Sequence, residues 1–151
     1  MSPIADLRGL SASLNQASDE LNQILKNTEE ELRELNLGVE AWTKTPIIAS
    51  DSWREGGEHC CELKYLGWAK IDSGWRLALK TIILREGFFE GDTGSPYTNE
   101  DFQKIEPLLG KSRDIRAKAV TNIEWLIDAL RWEAVKVLEA VAKGTDLKLK
   151  Q

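Results

Sequence analysis

The spacing of apolar residues in the first quarter of the chain predicts one long helix over residues 4–36. Two positions of a seven-residue repeat are filled mainly by leucine and other apolar or small residues. They are Leu7, Leu14, Leu21, Thr28 and Leu35 at the first position, and Leu10, Ala17, Ile24 and Glu31 at the second. Leu25 and Leu32 widen this stripe, and Gly38 is expected to end the helix in a left-handed conformation. Such a helix would be about 50 Å long, more than a small domain needs. It either packs on its own domain or projects into a second subunit, and we expect a homo-oligomer.

The middle of the chain predicts a small antiparallel sheet. Residues 39–48 are typical of a strand, 50–59 of a loop, and 61–71 and 74–84 of two strands joined as a hairpin. We expect a three-residue turn, Asp72-Ser73-Gly74, with Gly74 in the left-handed region. Residues 85–100 are predicted to be a loop, and 99–110 at most a short helical turn.

That hairpin register would place four cations on one face and leave the other face apolar and buried. The cations are Lys64, Lys70, Arg76 and Lys80, arranged around Trp68. Like charges that face each other across a hairpin are destabilising. Either solvent screens these cations, or a bound anion or an acidic partner helix offsets their repulsion.

The end of the chain predicts a second long helix, from about residue 112 to 143, ended by Gly144. Trp125 and Trp132 lie seven residues apart on a flank of its apolar stripe, where packing is the simplest explanation. The fold class is therefore α+β: a long N-terminal helix, a small antiparallel sheet with a central hairpin, and a long C-terminal helix. We expect a single domain over residues 1–151, with 1–38 contributing to oligomerisation, 39–110 forming the sheet and a ligand loop, and 111–144 the last helix.

Composition narrows the classes of function. The chain has 151 residues, is 42% hydrophobic and 30% charged, and carries a net charge of −5. That charge argues against general nucleic-acid binding, which needs a dominant positive field. No apolar run approaches the length of a membrane span, so we expect no membrane insertion and a cytoplasmic location. Any anionic ligand must be held by a local cluster of cations.

Residues that commit a chain to catalysis or metal binding are few. His59 is the single histidine, and Cys60 and Cys61 are adjacent and lack a metal-binding spacing. Nucleotide-binding glycine loops and nucleophile motifs are absent from the sequence. We expect no catalysis, no metal site, no cofactor and two reduced thiols.

The strongest local chemistry lies at the start of the last helix. Residues 111–118 (KSRDIRAK) hold four cations and one acid, and Arg113 and Arg116 share a face. Cations oppose the helix dipole at this end, whereas free N–H groups there favour anions. The two arginines either pair with carboxylates such as Asp114 or Glu106, or hold an anion.

The preceding loop carries aromatic residues in a polar context. An aromatic ring beside phosphate-binding arginines suits a nucleotide, because the ring stacks on the base while the arginines bind phosphate. Phe89 could stack in this way, and Tyr97 and Asn99 could add stacking and hydrogen bonds. Alternatively, the phenylalanines anchor the loop to the core or to another subunit. We favour anchoring for Phe88, and for Phe89 both roles stay open.

Four pieces of the sequence resemble a known family. They are ELNLGVEAW at the end of the first helix, the hairpin LGWAKIDSGWRLALK, Phe89 followed ten residues later by Asn99, and SRDIRAKAV at the start of the last helix. The layout is similar to that of small phage proteins that counter the bacterial Thoeris defence by sequestering its glyco-cyclic ADP-ribose signal. The resemblance covers nearly the whole chain.

The resemblance implies a non-catalytic sponge that acts in the host cytoplasm. Phe89 would stack on the adenine, Asn99 would hydrogen-bond the ligand and Arg116 would hold the pyrophosphate, in pockets at a subunit interface. Members form dimers that can assemble into hexamers, and some have a second pocket for cyclic oligonucleotides, to which Arg8 and Arg113 would correspond. Lys64 stands where the family would have an arginine. The alternative is a homo-oligomeric interaction module, an adaptor or inhibitor, without a small-molecule ligand.

Overall fold

The computed structural model describes residues 3–88 and 94–149, with side chains described up to residue 146. Within these ranges it contains three helices and six strands. The helices are α1 (Pro3–Leu35), α2 (Arg113–Thr121) and α3 (Ile123–Leu149). The strands are β1 (Ala41–Trp42), β2 (Ile48–Ala49), β3 (Trp53–Glu55), β4 (Glu58–Ile71), β5 (Gly74–Phe88) and β6 (Pro96–Pro107). The predicted α+β class, with long helices at both ends and a central hairpin, is confirmed.

The strands form one antiparallel sheet around the long β4–β5 hairpin. The order is β1-β4-β5-β6, and β2 and β3 pair with further segments of β4. β4 is therefore covered along one edge by three short strands, and β5 is covered by β6.

The predicted hairpin register is wrong by one residue. The turn has two residues, Asp72 and Ser73, both with positive φ (49° and 73°), and Gly74 is already paired with Ile71 in the strand. Positive φ at both central residues is the hallmark of a type I′ turn, whose twist matches that of the strands. Because side chains alternate along a strand, a slip of one residue moves one strand's side chains to the other face.

The shifted register divides the predicted basic face between the two sides of the sheet. Lys64, Trp68 and Lys70 lie on one side, whereas Arg76 and Lys80 lie on the other. Trp68 is buried in the core, 1% exposed, and does not lie at the centre of a solvated cluster.

The core lies between the helices and one side of the hairpin, which we call the helix-covered face. Cross-strand pairs Leu66–Leu79 and Trp68–Leu77 supply its centre. The helices contribute Leu25, Leu32, Ala119, Leu126 and Leu130. Burial of these side chains fixes α1 on the sheet through Leu25 and Leu32, each at most 5% exposed.

Only part of the α1 heptad stripe packs in this core. Leu7, Leu10 and Leu14 are each more than half exposed, and Leu35 is 64% exposed. The buried positions of α1 are Leu25, Glu29 and Leu32. The N-terminal part of α1 therefore extends beyond the core as an amphipathic arm.

Further sequence predictions need correction. Residues 85–88 belong to β5 and 96–107 form β6, rather than a loop and a helical turn, because the exposed edge of β5 offers a full ladder of hydrogen-bonding groups that pair with β6. The predicted strand 39–48 is divided into the two short strands β1 and β2. Residues 53–55 form a strand within the predicted loop 50–59. The last helix is divided at Asn122, whose side-chain amide donates to the carbonyl of Lys118 (2.7 Å), and Gly144 does not end α3.

Candidate anion-binding site

A row of polar side chains crosses the helix-covered face beyond the core. Lys64, Thr81 and Lys104 are direct cross-strand neighbours on β4, β5 and β6. Lys64 Nζ donates to Thr81 Oγ1 at 2.9 Å and forms an ion pair with Glu62 at 3.3 Å. Neighbouring strands lie about 4.8 Å apart, so the Cα atoms of the two lysines are roughly 10 Å from one another.

The carboxylate of Glu106 links this row to the start of α2. Its Oε2 atom forms ion pairs with Lys111 Nζ at 2.7 Å and Lys104 Nζ at 3.4 Å. The hydrogen bond from Lys111 holds the pKa of Glu106 below its ordinary value. One carboxylate is shared by two ammonium groups, so this part of the surface keeps an excess of positive charge.

Contacts among the described residues hold Arg116 in place and leave most of its donors available. Its Nε donates to the carbonyl of Lys111 at 3.0 Å, and its Nη1 donates to Asn22 Oδ1 on α1. A guanidinium group has five N–H donors in a fixed fork. Two are used here, so a fixed group could still bind an oxyanion through the others.

Arg113 is the first residue of α2 and is exposed. Ser112 caps the helix, and its side chain accepts from the backbone N–H of Ile115 at 3.5 Å. Arg113 precedes Arg116 by three positions, so both project from the first turns of α2. We define the basic patch as Lys64, Lys104, Lys111, Arg113 and Arg116.

Asn99 lies on the same face but further along the sheet. It is exposed on β6 directly opposite Arg85, four residues along β5 from Thr81, which is roughly 13 Å at strand spacing. Asn99 and the basic patch thus lie on one face of the sheet, without direct contact within one chain.

Arg85 is the cross-strand neighbour of Asn99, but its guanidinium group is already paired with carboxylates. Its Nε donates to Asp101 Oδ2 at 2.6 Å, and its Nη1 lies 3.5 Å from Glu55 Oε2 and 3.5 Å from Cys60 Sγ. The Asp101 hydrogen bond raises the pKa of Arg85. This arginine joins β3, β4, β5 and β6, and we assign it a structural role.

Two predicted ligand residues fall elsewhere. Arg8 lies on the exposed arm of α1, roughly 21 Å along the helix axis from Asn22 at about 1.5 Å per residue, so one chain does not bring it to Arg113. Phe89 lies outside the described residues. Its neighbour Phe88 is 69% exposed, so it does not anchor the loop on the core of its own chain as expected.

The opposite face of the sheet carries a separate aromatic cluster. Lys80 Nζ lies 4.8 Å from the ring centroid of Trp42 and 5.5 Å from that of Tyr65. The Trp42 ring lies against the backbone of Gly67, where a Cβ atom would come within 2.0 Å of it. Burial, followed by the charge of Glu100, raises the pKa of Tyr65. Of the four cations of the predicted basic hairpin face, Lys64 thus belongs to the basic patch, Lys80 packs on aromatic rings, and Lys70 and Arg76 are exposed on opposite faces of the sheet.

The sequence prediction missed two participants. Lys104 was overlooked because residues 99–110 were not recognised as a strand, and neither their apolar residues nor their buried residues alternate with a period of two. Asn22 gave no signal, because an asparagine on a helix surface is common, and its contact with Arg116 spans most of the chain.

Other kinds of site are not evident in the described parts of the chain. The described residues contain no group of three or more potential metal ligands. Cys60 is buried and Cys61 partly buried, and both are free thiols. None of the described helices has both the length and the apolarity to cross a bilayer.

Comparison with known proteins adds no relative. Protein-family models, curated proteins and solved structures gave no match to this chain.

Proposed function

We propose that this protein binds and sequesters an anionic, nucleotide-type signal without converting it. The resemblance to the Thoeris anti-defence family suggests glyco-cyclic ADP-ribose as the ligand, with cyclic oligonucleotides as a further class. In that role the protein would act in the cytoplasm of an infected bacterium and suppress anti-phage defence.

The observation that carries the proposal is the basic patch, in which Arg116 is held by the Lys111 carbonyl and Asn22. In a chain of net charge −5, five cations gather around one face and one helix start. Arg116 is oriented by Asn22 and by the Lys111 carbonyl, which lowers the entropic cost of binding a phosphate. The backbone N–H groups at the start of α2 favour the same negative charge.

The chemistry around the patch favours binding over turnover. Its groups are ammonium and guanidinium ions, and the nearest carboxylate, Glu106, has a lowered pKa because Lys111 and Lys104 hold it ionised. A carboxylate with a lowered pKa is a poor general base or acid near neutral pH. A sponge needs affinity and abundance only.

The patch is tested by replacing Arg116 with alanine and titrating glyco-cyclic ADP-ribose by calorimetry. Loss of a bidentate phosphate contact should weaken binding by about 100-fold, which corresponds to about 2.7 kcal/mol. The matched control is Arg76→Ala, because Arg76 is an exposed arginine on the opposite face of the sheet. Wild-type affinity in Arg116→Ala would place the site elsewhere.

Asn99 and Phe89 are tested in the same titration. If the ligand extends from the patch along the helix-covered face, Asn99→Ala should weaken binding by roughly 3- to 10-fold, the usual value of one hydrogen bond. Phe89→Ala tests the stacking role that the family resemblance implies. No effect from either variant would restrict the ligand to the basic patch.

A second candidate, the homo-oligomeric interaction module, is favoured by the exposed arms. Ile4, Leu7, Leu10 and Leu14 on α1, and Leu138 and Val141 on α3, are all more than half exposed. Apolar stripes of this extent usually mark protein–protein contacts. They fit a subunit interface, which the sponge hypothesis also requires.

Sedimentation equilibrium separates the roles of the arms and the patch. We expect the wild-type chain to sediment as a dimer or larger assembly and Leu10→Asp to dissociate, because a charge would be buried in the apolar stripe. A monomeric wild type would contradict oligomerisation through α1. An oligomer that binds neither glyco-cyclic ADP-ribose nor a cyclic oligonucleotide would favour the interaction module.

A further inference from the structure

A wide apolar groove lies on α3, away from the basic patch. It has a volume of about 620 Å³. Its walls are the indole rings of Trp125 and Trp132, which are 53% and 58% exposed, and its floor includes Ala129. Because the small Ala129 side chain separates two large rings on the same helix face, a concave surface results. The volume falls within the range of small-molecule pockets.

Two cations line this groove, Lys44 and Arg131. Lys44 Nζ lies 5.5 Å from the ring centroid of Trp132. The backbone at Lys44 is held by the buried Thr43, whose N–H donates to the Leu66 carbonyl at 2.8 Å and whose hydroxyl donates to the Thr45 carbonyl at 2.9 Å. Within the described residues Lys44 has no ion pair, whereas Arg131 at the rim is paired with Asp128 at 3.3 Å.

We propose that the groove between Trp125 and Trp132 is a second binding site, for a small, flat aromatic anion whose negative group pairs with Lys44. The two indoles supply stacking surfaces for the aromatic body. Lys44 supplies a positive charge, and the two indole walls of the groove carry no negative group that could neutralise it. A facing protein surface would have to bring its own carboxylate to this position.

The test uses two fluorescent probes of the same shape and different charge. Anilinonaphthalene sulfonate is an aromatic anion, and phenylnaphthylamine is its neutral analogue. Lys44→Met removes the charge and keeps an apolar side chain. It should therefore lower the affinity for the anionic probe by roughly 3- to 5-fold and leave the affinity for the neutral probe within about twofold of the wild type. Trp132→Ala should weaken both probes by roughly tenfold, because it removes one stacking surface.

Two control variants lie on the same helix outside the groove. Lys143→Met removes an exposed lysine, and Val137→Ala shortens a side chain that is 49% exposed. Both should leave the affinity for each probe unchanged. Equal loss in Val137→Ala and Trp132→Ala would mean that the probe binds the exposed helix in general, and would overturn the proposal.

Two further outcomes would also overturn it. If Lys44→Met binds both probes as the wild type does, the charge has no role in recognition. If Trp132→Ala lowers the sedimenting mass of the protein, the groove is a contact between subunits and not a ligand site. Neither result would affect the basic patch, whose test depends on Arg116.

Discussion

Glu29 gives the sharpest test of how α1 is attached to the sheet. Its side chain is only 9% exposed, and its Oε2 atom accepts from the backbone N–H of Leu77 at 3.1 Å. Its Oε1 atom accepts from Arg33, and Arg33 Nε donates to the Trp75 carbonyl at 2.9 Å. The pair thus satisfies two backbone groups at a part of β5 where β6 has already ended.

We expect Glu29→Ala to lower the free energy of unfolding by about 2–3 kcal/mol. An unsatisfied buried N–H costs about 1–3 kcal/mol, and Leu77 has no solvent access to replace the lost acceptor. The better helix propensity of alanine recovers only a few tenths of a kcal/mol. For a chain of this size the melting temperature should fall by roughly 4–12 °C.

Urea unfolding followed by tryptophan fluorescence measures the change, with Glu30→Ala as the control. Glu30 is the next residue of the same helix and is exposed, so its replacement should alter stability by less than about 0.5 kcal/mol. Glu29→Gln keeps an acceptor for Leu77 and should fall between the two. Equal stability of Glu29→Ala and Glu30→Ala would refute a stabilising role of the hydrogen bond between Glu29 and the backbone of Leu77.

Two other predictions concern packing and pH. Gly67→Ala should lower the free energy of unfolding in urea by about 1–3 kcal/mol, because the new Cβ would lie 2.0 Å from the Trp42 ring. In the control Gly144→Ala the new Cβ meets no atom within 4 Å and should cost nothing. Equal stability of the two variants would contradict the close approach of Gly67 and Trp42. The lowered pKa of Glu106 means that its stabilising effect is complete above the unfolded value of about 4.3 and is lost as pH falls through the folded value. The urea midpoints of wild type and Glu106→Gln should therefore differ at neutral pH and converge only as the pH falls below about 4.3 and through the lowered pKa of Glu106, and a constant difference would contradict the ion pair with Lys111.

The sequence predicted the order and type of the main elements, but not which face of the sheet the side chains of each hairpin strand occupy. Apolar periodicity was enough for α1 and for the two long strands. The register depended on one turn, where Asp72 and Ser73 adopt positive φ and glycine was expected to do so. Since asparagine, aspartate and glycine all tolerate that region, local sequence does not fix the turn length.

Strand β6 was missed for a different reason. Its residues include Asn99, Glu100 and Asp101, which have low β-propensity, and it forms because β5 offers a long edge for pairing. The heptad stripe of α1 is similarly ambiguous, because spacing alone does not distinguish a helix that packs on its own domain from one that packs on another subunit. The structure uses Leu25 and Leu32 for the core and leaves Leu10 exposed.

The candidate site was partly accessible to sequence reasoning. Arg113 and Arg116 stood out because cations at a helix start break a local electrostatic rule. The contact of Arg116 with Asn22 and the sharing of Glu106 by two lysines depend on tertiary structure. No periodicity in the sequence encodes such contacts.

The most direct test of the central claim is the melting temperature of the protein with a panel of nucleotides, followed by recovery of the ligand after heating. The panel contains glyco-cyclic ADP-ribose isomers, cyclic di- and trinucleotides, ADP-ribose and NAD. A ligand present at 100 times its dissociation constant stabilises the folded state by about 2.7 kcal/mol, which should raise the melting temperature by several degrees. We predict such a shift for at least one cyclic signal, its absence in Arg116→Ala, and intact ligand after heating. A panel without any shift, or a ligand recovered as product, would contradict sequestration.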